Sequence, residues 1–145
     1  MKASRVPISE LEPSIGFWLR LASGQITQVF QKKVEMKCVT LSEFEVLRLT
    51  EQFGVTSGAE LGELVGLSKG ATSKLLTRLV DKGFVARFND EDDGRGYLLQ
   101  LTVAGKALVA ALVGIAEQAD EEYVGHLSKN EKSEFLRTLK KVAAR

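Results

Sequence analysis

Between residues 68 and 88, five basic side chains (Lys69, Lys74, Arg78, Lys82 and Arg87) stand against one acid, Asp81. The next eight residues, "NDEDDGRG", invert that balance: Asp90, Glu91, Asp92 and Asp93 precede a lone base, Arg95. Basic side chains interleaved with hydroxyls are the chemistry of a polyanion contact. If "SKGATSK" opens a helix, its first turn offers unpaired N–H groups and the positive end of a dipole, both of which favour a phosphate. Ser68 and Lys69 are therefore expected at phosphates. Ala71 and Leu75 read as buried, which turns Thr72, Ser73 and Lys74 toward a major groove. There Thr72 can touch a thymine methyl and Lys74 can donate to guanine. Arg78, one turn beyond Lys74, is expected to grip backbone, since phosphate contacts set register and base contacts set specificity. Arg87 either meets a phosphate or pairs with Asp93 or Asp90. Arg95, at a hairpin tip, suits a narrow A·T-rich minor groove, where the negative potential is deepest.

Little in the chain suggests catalysis. There is one cysteine, Cys38, and one histidine, His126, with no metal-type cluster and no phosphate-cradling loop. We expect no enzyme, no metal and no cofactor. Cys38 follows Lys37 and lies near Lys32 and Lys33, and basic neighbours favour a reactive thiolate, so a redox-sensing role stands as an alternative. His126 follows Tyr123 and reads as a structural or surface residue.

The elements that must position these groups can be read from pattern. The chain has 145 residues and is 44% hydrophobic with net charge +1, which fits one compact domain with or without a dimerisation extension. No apolar stretch is long enough to span a bilayer. The start "MKASRVPISELEP" lacks an apolar signal core, so a cytoplasmic protein without a membrane partner is expected. After Pro13 and Ser14, Ile15, Leu19, Ala22, Ile26, Val29, Phe30 and Val34 follow a helical period. "TLSE" (40–43), "SGAE" (57–60) and "SKNE" (128–131) are capping boxes opening further helices. A short helix over 58–65, the turn "GLS", and a helix over 69–82 capped by Ser68 make a helix-turn-helix, with Gly83 expected in the left-handed conformation after its end. "FVARF" and "YLLQLT" then read as strands around a Gly/Asn/Asp-rich turn. Thr102 caps a long helix, 103 to about 124, before a last helix carrying Phe135, Leu136, Leu139 and Val142.

The predicted fold is therefore mainly α with a small β-hairpin wing: a winged helix-turn-helix with N- and C-terminal dimerisation helices. Residues 1–145 form a single domain, with 1–12 a flexible start, 41–102 the winged-helix lobe, and 13–36 and 103–143 the dimerisation helices. Those terminal helices carry apolar stripes that must be covered, and a second copy covers them economically.

At this point the chain resembles the MarR family of bacterial transcription regulators over about residues 11 to 143. The matching segments are "LSEFEVLRLT", "LSKGATSKLLTRLVDKGFVAR" and "DGRGYLLQLTVAGKAL". The family wing reads Asp-Arg-Arg, then a strand ending Leu-Thr, then Gly two residues later. Asp93, Arg95, Leu101, Thr102 and Gly105 match, whereas Gly94 replaces the middle arginine. The resemblance implies a homodimer that binds double-stranded DNA on a pseudo-palindromic operator, usually as a repressor, with Asp93 orienting Arg95 through a charge-assisted hydrogen bond. It also implies response to a small weak-acid or phenolic effector, in a pocket drawn from the segments holding Phe17, Trp18, Arg20, Phe44 and Leu47. An alternative from another class is a winged-helix module that assembles with proteins and not with DNA.

Overall fold

The computed structural model describes residues 14–34, 39–92, 94 and 96–144. Helix α1 spans Ile15–Val34 and α2 spans Leu41–Phe53. A two-residue strand β1, Thr56–Ser57, leads into α3, Gly58–Val65, and then α4, Lys69–Asp81. Strands β2, Val85–Asn89, and β3, Tyr97–Leu101, precede α5, Val103–Val124, and α6, Lys129–Ala143.

Local chemistry fixes most of these boundaries. The Thr40 hydroxyl accepts the Glu43 amide at 3.2 Å while the Thr40 amide donates to the Glu43 carboxylate at 3.0 Å. The same reciprocal box opens α3 through Ser57 and Glu60, and α6 through Ser128 and Glu131. Each satisfies amides that the first turn of a helix leaves without partners. Ser68 and Thr102 cap α4 and α5 through their hydroxyls. Gly83, at φ 77°, ends α4 in the left-handed conformation that a side chain disfavours.

The sheet is antiparallel with order β1-β3-β2. The expected hairpin is therefore present with a third strand beside it: Thr56 pairs with Leu99 and Ser57 with Leu98. Two residues carry no periodicity, so β1 had no signal of its own in the sequence. It ties the start of α3 to β3.

Two apolar cores result. The larger joins Leu47, Leu61, Leu76, Leu79, Leu99 and Val109 across α2, α3, α4, β3 and α5. The smaller joins Phe30, Val34, Val39, Phe44, Leu112 and Ala119. In it Phe30 and Phe44 stack with ring centroids 5.1 Å apart. The predicted stripe of α1 is buried only at its C-terminal end, at Phe30 and Val34, while Ile15 is 77% exposed. Helix α6 has no buried residue, and Phe135, Leu136 and Val142 all stand open.

Candidate nucleic-acid interface

Helix α4 packs on the larger core through Thr72, Leu75, Leu76 and Leu79. Its opposite face is open, and Ser68, Lys69, Ser73, Lys74 and Arg78 are all exposed there. Five of the expected contact residues are thus exposed along α4 and at its N-cap. Thr72 does not join them. It is 5% exposed, and its hydroxyl donates to the Ser68 carbonyl at 3.0 Å. The expectation that Ala71 is buried and Thr72 faces a groove is therefore corrected: Ala71 is exposed and Thr72 faces the protein. The reason lies on α3. Gly62 has no side chain, and a Cβ there would come within 2.5 Å of the Thr72 hydroxyl. The missing side chain makes the space that Thr72 fills, so α4 lies close against α3.

Arg78, expected to grip the DNA backbone, also has a partner within the protein. Its Nε donates to Glu43 Oε1 at 3.1 Å. Lys82 Nζ donates to both Glu43 oxygens, at 3.1 and 3.0 Å. Glu43 is 1% exposed, whereas the Arg78 and Lys82 side chains are 52% and 33% exposed. Burial pushes the Glu43 carboxyl up, but the Thr40 amide, Lys82 and Arg78 outweigh it and hold the group below the ordinary glutamate value. Glu43 therefore stays ionised across the neutral range. Sequence alone showed it only as a capping residue, because its cationic partners lie 35 and 39 residues away.

Arg87 lies on β2 with its guanidinium 3.5 Å from the centre of the Tyr97 ring. Its described contact is thus an aromatic face across the strand pair, not Asp90, and such stacking leaves the guanidinium edge able to donate. Asp90 is held within the turn. Its amide donates to the Gly96 carbonyl at 3.2 Å, and its carboxylate accepts the Asp92 amide at 3.0 Å. Asp90 also borders a hollow of about 580 Å³ between α3, α4 and the wing, shared with Lys69, Ser73 and Tyr97. One acid of the knot therefore faces the same side as the basic helix, while Glu91 and Asp92 are exposed at the tip. Arg95 and its expected partner Asp93 lie outside the described residues, as does Cys38.

A second concavity, about 650 Å³, opens between α1, α2, α5 and α6. Of the five residues expected in an effector pocket, Phe44 lines it. Leu47 is sealed in the core at 0% exposure. Phe17 and Trp18 pack edge-to-face on each other at the start of α1, and Arg20 is exposed beyond the cleft. The walls that sequence reasoning missed include Ile26, Phe30, Arg48 and Asp120. Arg48 follows Phe44 by four residues, so a helical projection from Phe44 would have found it. Burial pushes the Glu45 and Asp120 carboxyls up, with Arg48 opposing and Glu117 adding to the effect at Asp120.

A model of the MarR family matches residues 39–97. The chain is 28% identical over 127 residues to the transcriptional regulator HosA of Escherichia coli, covering 83% of this chain and 93% of that protein. It is 32% identical over 106 residues to the transcriptional repressor Rv2887 of Mycobacterium tuberculosis, covering 73% of this chain and 76% of that one. Among solved structures, a mutant MarR from E. coli complexed with operator DNA superposes with a TM-score of 0.78 at 25% identity, over 88% of this chain and 92% of that chain. The M. tuberculosis Rv2887 complex with salicylic acid superposes with a TM-score of 0.75 at 27% identity, over 93% and 99%.

Proposed function

Because the chain belongs to the MarR family, we propose that it is a sequence-specific double-stranded DNA-binding repressor that acts as a homodimer and responds to a small ligand. The observation that carries this reading is the solvent-exposed side of α4 and its N-cap, where Ser68, Lys69, Ser73, Lys74 and Arg78 are open and Lys69 and Ser73 border the hollow beside the wing. In this reading, one α4 enters a major groove and the wing, through Arg95 braced by Asp93, enters the adjacent minor groove. The open apolar faces of α1 and α6 support a second copy as their cover. Half-sites then lie one helical turn, ~10 bp, apart on a pseudo-palindrome.

The cleft supports a ligand response. An aromatic weak acid would lay its ring on Phe30 and Phe44 and turn its carboxylate to Arg48, the cation that takes the place expected for Arg20. A bound ligand shifts the dimer toward whichever geometry it fits best, and misspaced recognition helices release the operator.

The test is selection from a library of random duplexes. Enrichment of a pseudo-palindrome with one-turn half-site spacing is expected, and no enrichment over input would sink the reading.

The acidic turn supplies a further expected result. Asn at 90 and 92 with Gln at 91 removes three negative charges per protomer and keeps the turn, since Asn can still accept the Asp92 amide. Binding to random duplex should tighten about tenfold at low salt and converge with wild type at high salt. Most of the gain should follow Asp90→Asn alone, because Asp90 borders the hollow beside Lys69. Filter binding across a salt series measures it.

A further inference from the structure

Among the described residues, one charged side chain is almost wholly withdrawn from water, and the DNA-binding reading above gives it no task. Glu43 sits on α2 at 1% exposure, and both cations that reach it come from the C-terminal half of α4 and its cap. A capping glutamate needs neither of them. Glu60 and Glu131 cap α3 and α6 with the same box, and both are exposed. Glu43 differs because the third residue of α2 faces inward against α4. Its two oxygens are fully used: Oε2 takes the Thr40 amide and Lys82, and Oε1 takes Arg78 and Lys82. Arg78 is engaged through Nε, the inner edge of its guanidinium, while half the side chain stays open to solvent.

Resting on the reading of α4 as the recognition helix, we propose that Glu43 is its positioning residue, clamping Arg78 and Lys82 so that α4 is presented at one rotation and Arg78 meets the DNA backbone with a fixed outer edge. A mobile arginine follows any phosphate. A clamped one accepts a phosphate only where the helix is in register with the bases, which turns a backbone contact into a check on sequence. The clamp also removes charge from the face. One buried anion offsets part of two cations, so α4 attracts random duplex less than its composition suggests. Helix α2 additionally lines the cleft through Leu41, Phe44, Glu45 and Arg48. Glu43 thus joins the cleft helix to the recognition helix by ion pairs.

The experiment compares wild type with Glu43→Gln on two probes, the duplex selected from the random library and an unselected duplex of equal length. Glutamine keeps the capping box and nearly the same volume but loses the charge. For the variant, affinity for unselected duplex should rise several-fold at low salt, and its salt dependence should steepen by about one to two contacts per dimer. The ratio of selected to unselected affinity should fall about tenfold. Thr40→Ala weakens the same helix cap and leaves the carboxylate, so it should lower the melting temperature and move neither slope nor ratio. Glu43→Asp keeps the charge and should keep the wild-type slope. Arg78→Lys reads the clamp from the other side, even if Gln at 43 does not fold. Charge is kept and the fork lost, so the ratio falls while the slope stays.

Wild-type slope and ratio in Glu43→Gln would make Glu43 a brace of the fold alone and overturn the proposal. So would a steepened slope in Glu43→Asp, or an unchanged ratio in Arg78→Lys. Failure of the wild-type protein to select any duplex overturns the DNA-binding reading, and this inference with it.

Discussion

Replacing Lys69 and Lys74 together by glutamine should nearly abolish duplex binding at moderate salt while leaving the melting temperature where it was. Both side chains are exposed on α4, away from the Thr72, Leu75, Leu76 and Leu79 face that holds the helix to the core. Substitutions at such positions change stability by roughly half a kcal/mol or less. Their effect on binding should be large, because a homodimer of the kind proposed would carry each substitution twice. In the proposed dimer, two lysines on each of two recognition helices would bring four positive charges to the duplex, Lys69 at phosphates and Lys74 in the groove, each releasing close to one counterion, so the logarithmic salt slope should fall by roughly three to four. At ~0.15 M salt the same count corresponds to about a thousandfold in affinity. Arg78 is left out of this pair deliberately. It pairs with the buried Glu43, so its removal would mix a loss of binding with an imbalance inside the protein. A titration of the selected duplex at several salt concentrations gives both numbers. Unchanged affinity and slope would move the DNA interface off α4.

The largest effect on stability should come from Gly105→Ala. Gly105 lies in the first turn of α5 and is buried, and its amide donates to the Thr102 hydroxyl at 3.0 Å. A Cβ built there would overlap the backbone carbonyl of Phe84. That carbonyl accepts the Thr102 amide at 3.1 Å, and Thr102 in turn donates its hydroxyl to Gly83 at 2.7 Å. Backbone held in this way cannot rotate aside as a side chain would. The start of α5 must lift away from the end of the sheet, opening the packing around Leu101 and Val109. We expect a cost of about 3 kcal/mol, near the upper end for inserting one methyl into a packed site. For a chain of this size that lowers the melting temperature by roughly 10 °C. The same substitution at Gly114, further along α5, is the internal comparison. Its Cβ would meet nothing within 4 Å. Ala there should stabilise by up to about 1 kcal/mol, by removing a flexible residue from a helix interior. Thermal melts of the two variants should move in opposite directions. If Gly105→Ala melts with wild type, the close approach of α5 to Phe84 is wrong.

Gly105 also shows how a motif can be visible before its reason. Its spacing after Leu101 and Thr102 contributed to the family resemblance, but nothing local explains a glycine in the first turn of a helix. The reason is the Phe84 carbonyl, brought over it by the return of the hairpin.

The elements and their ends were determined by the sequence itself. The three capping boxes, the caps at Ser68 and Thr102 and the left-handed Gly83 all act between residues no more than four apart, and such short-range hydrogen bonds form in the same way wherever the segment sits. The basic helix, the acidic turn and the helix-turn-helix followed by strands were legible for the same reason. Tertiary structure decided which side of each element meets the protein. Ala71 and Thr72 are neighbours on a helix, and packing of the stripe that Thr72 shares with Leu75, Leu76 and Leu79 turns it inward, where the missing side chain of Gly62 on α3 leaves room for it. The β1 strand exists because β3 offers it an edge. Arg87 lies on Tyr97 because the hairpin register brings the two strands together. The cleft takes Arg48 and Phe30, and not Arg20 and Leu47, because α1 and α2 meet at a particular rotation. Glu43 belongs to both accounts. Its capping role is three residues long and was readable from the chain, whereas its grip on Arg78 and Lys82 spans 35 and 39 residues and required the fold to bring α4 beneath it.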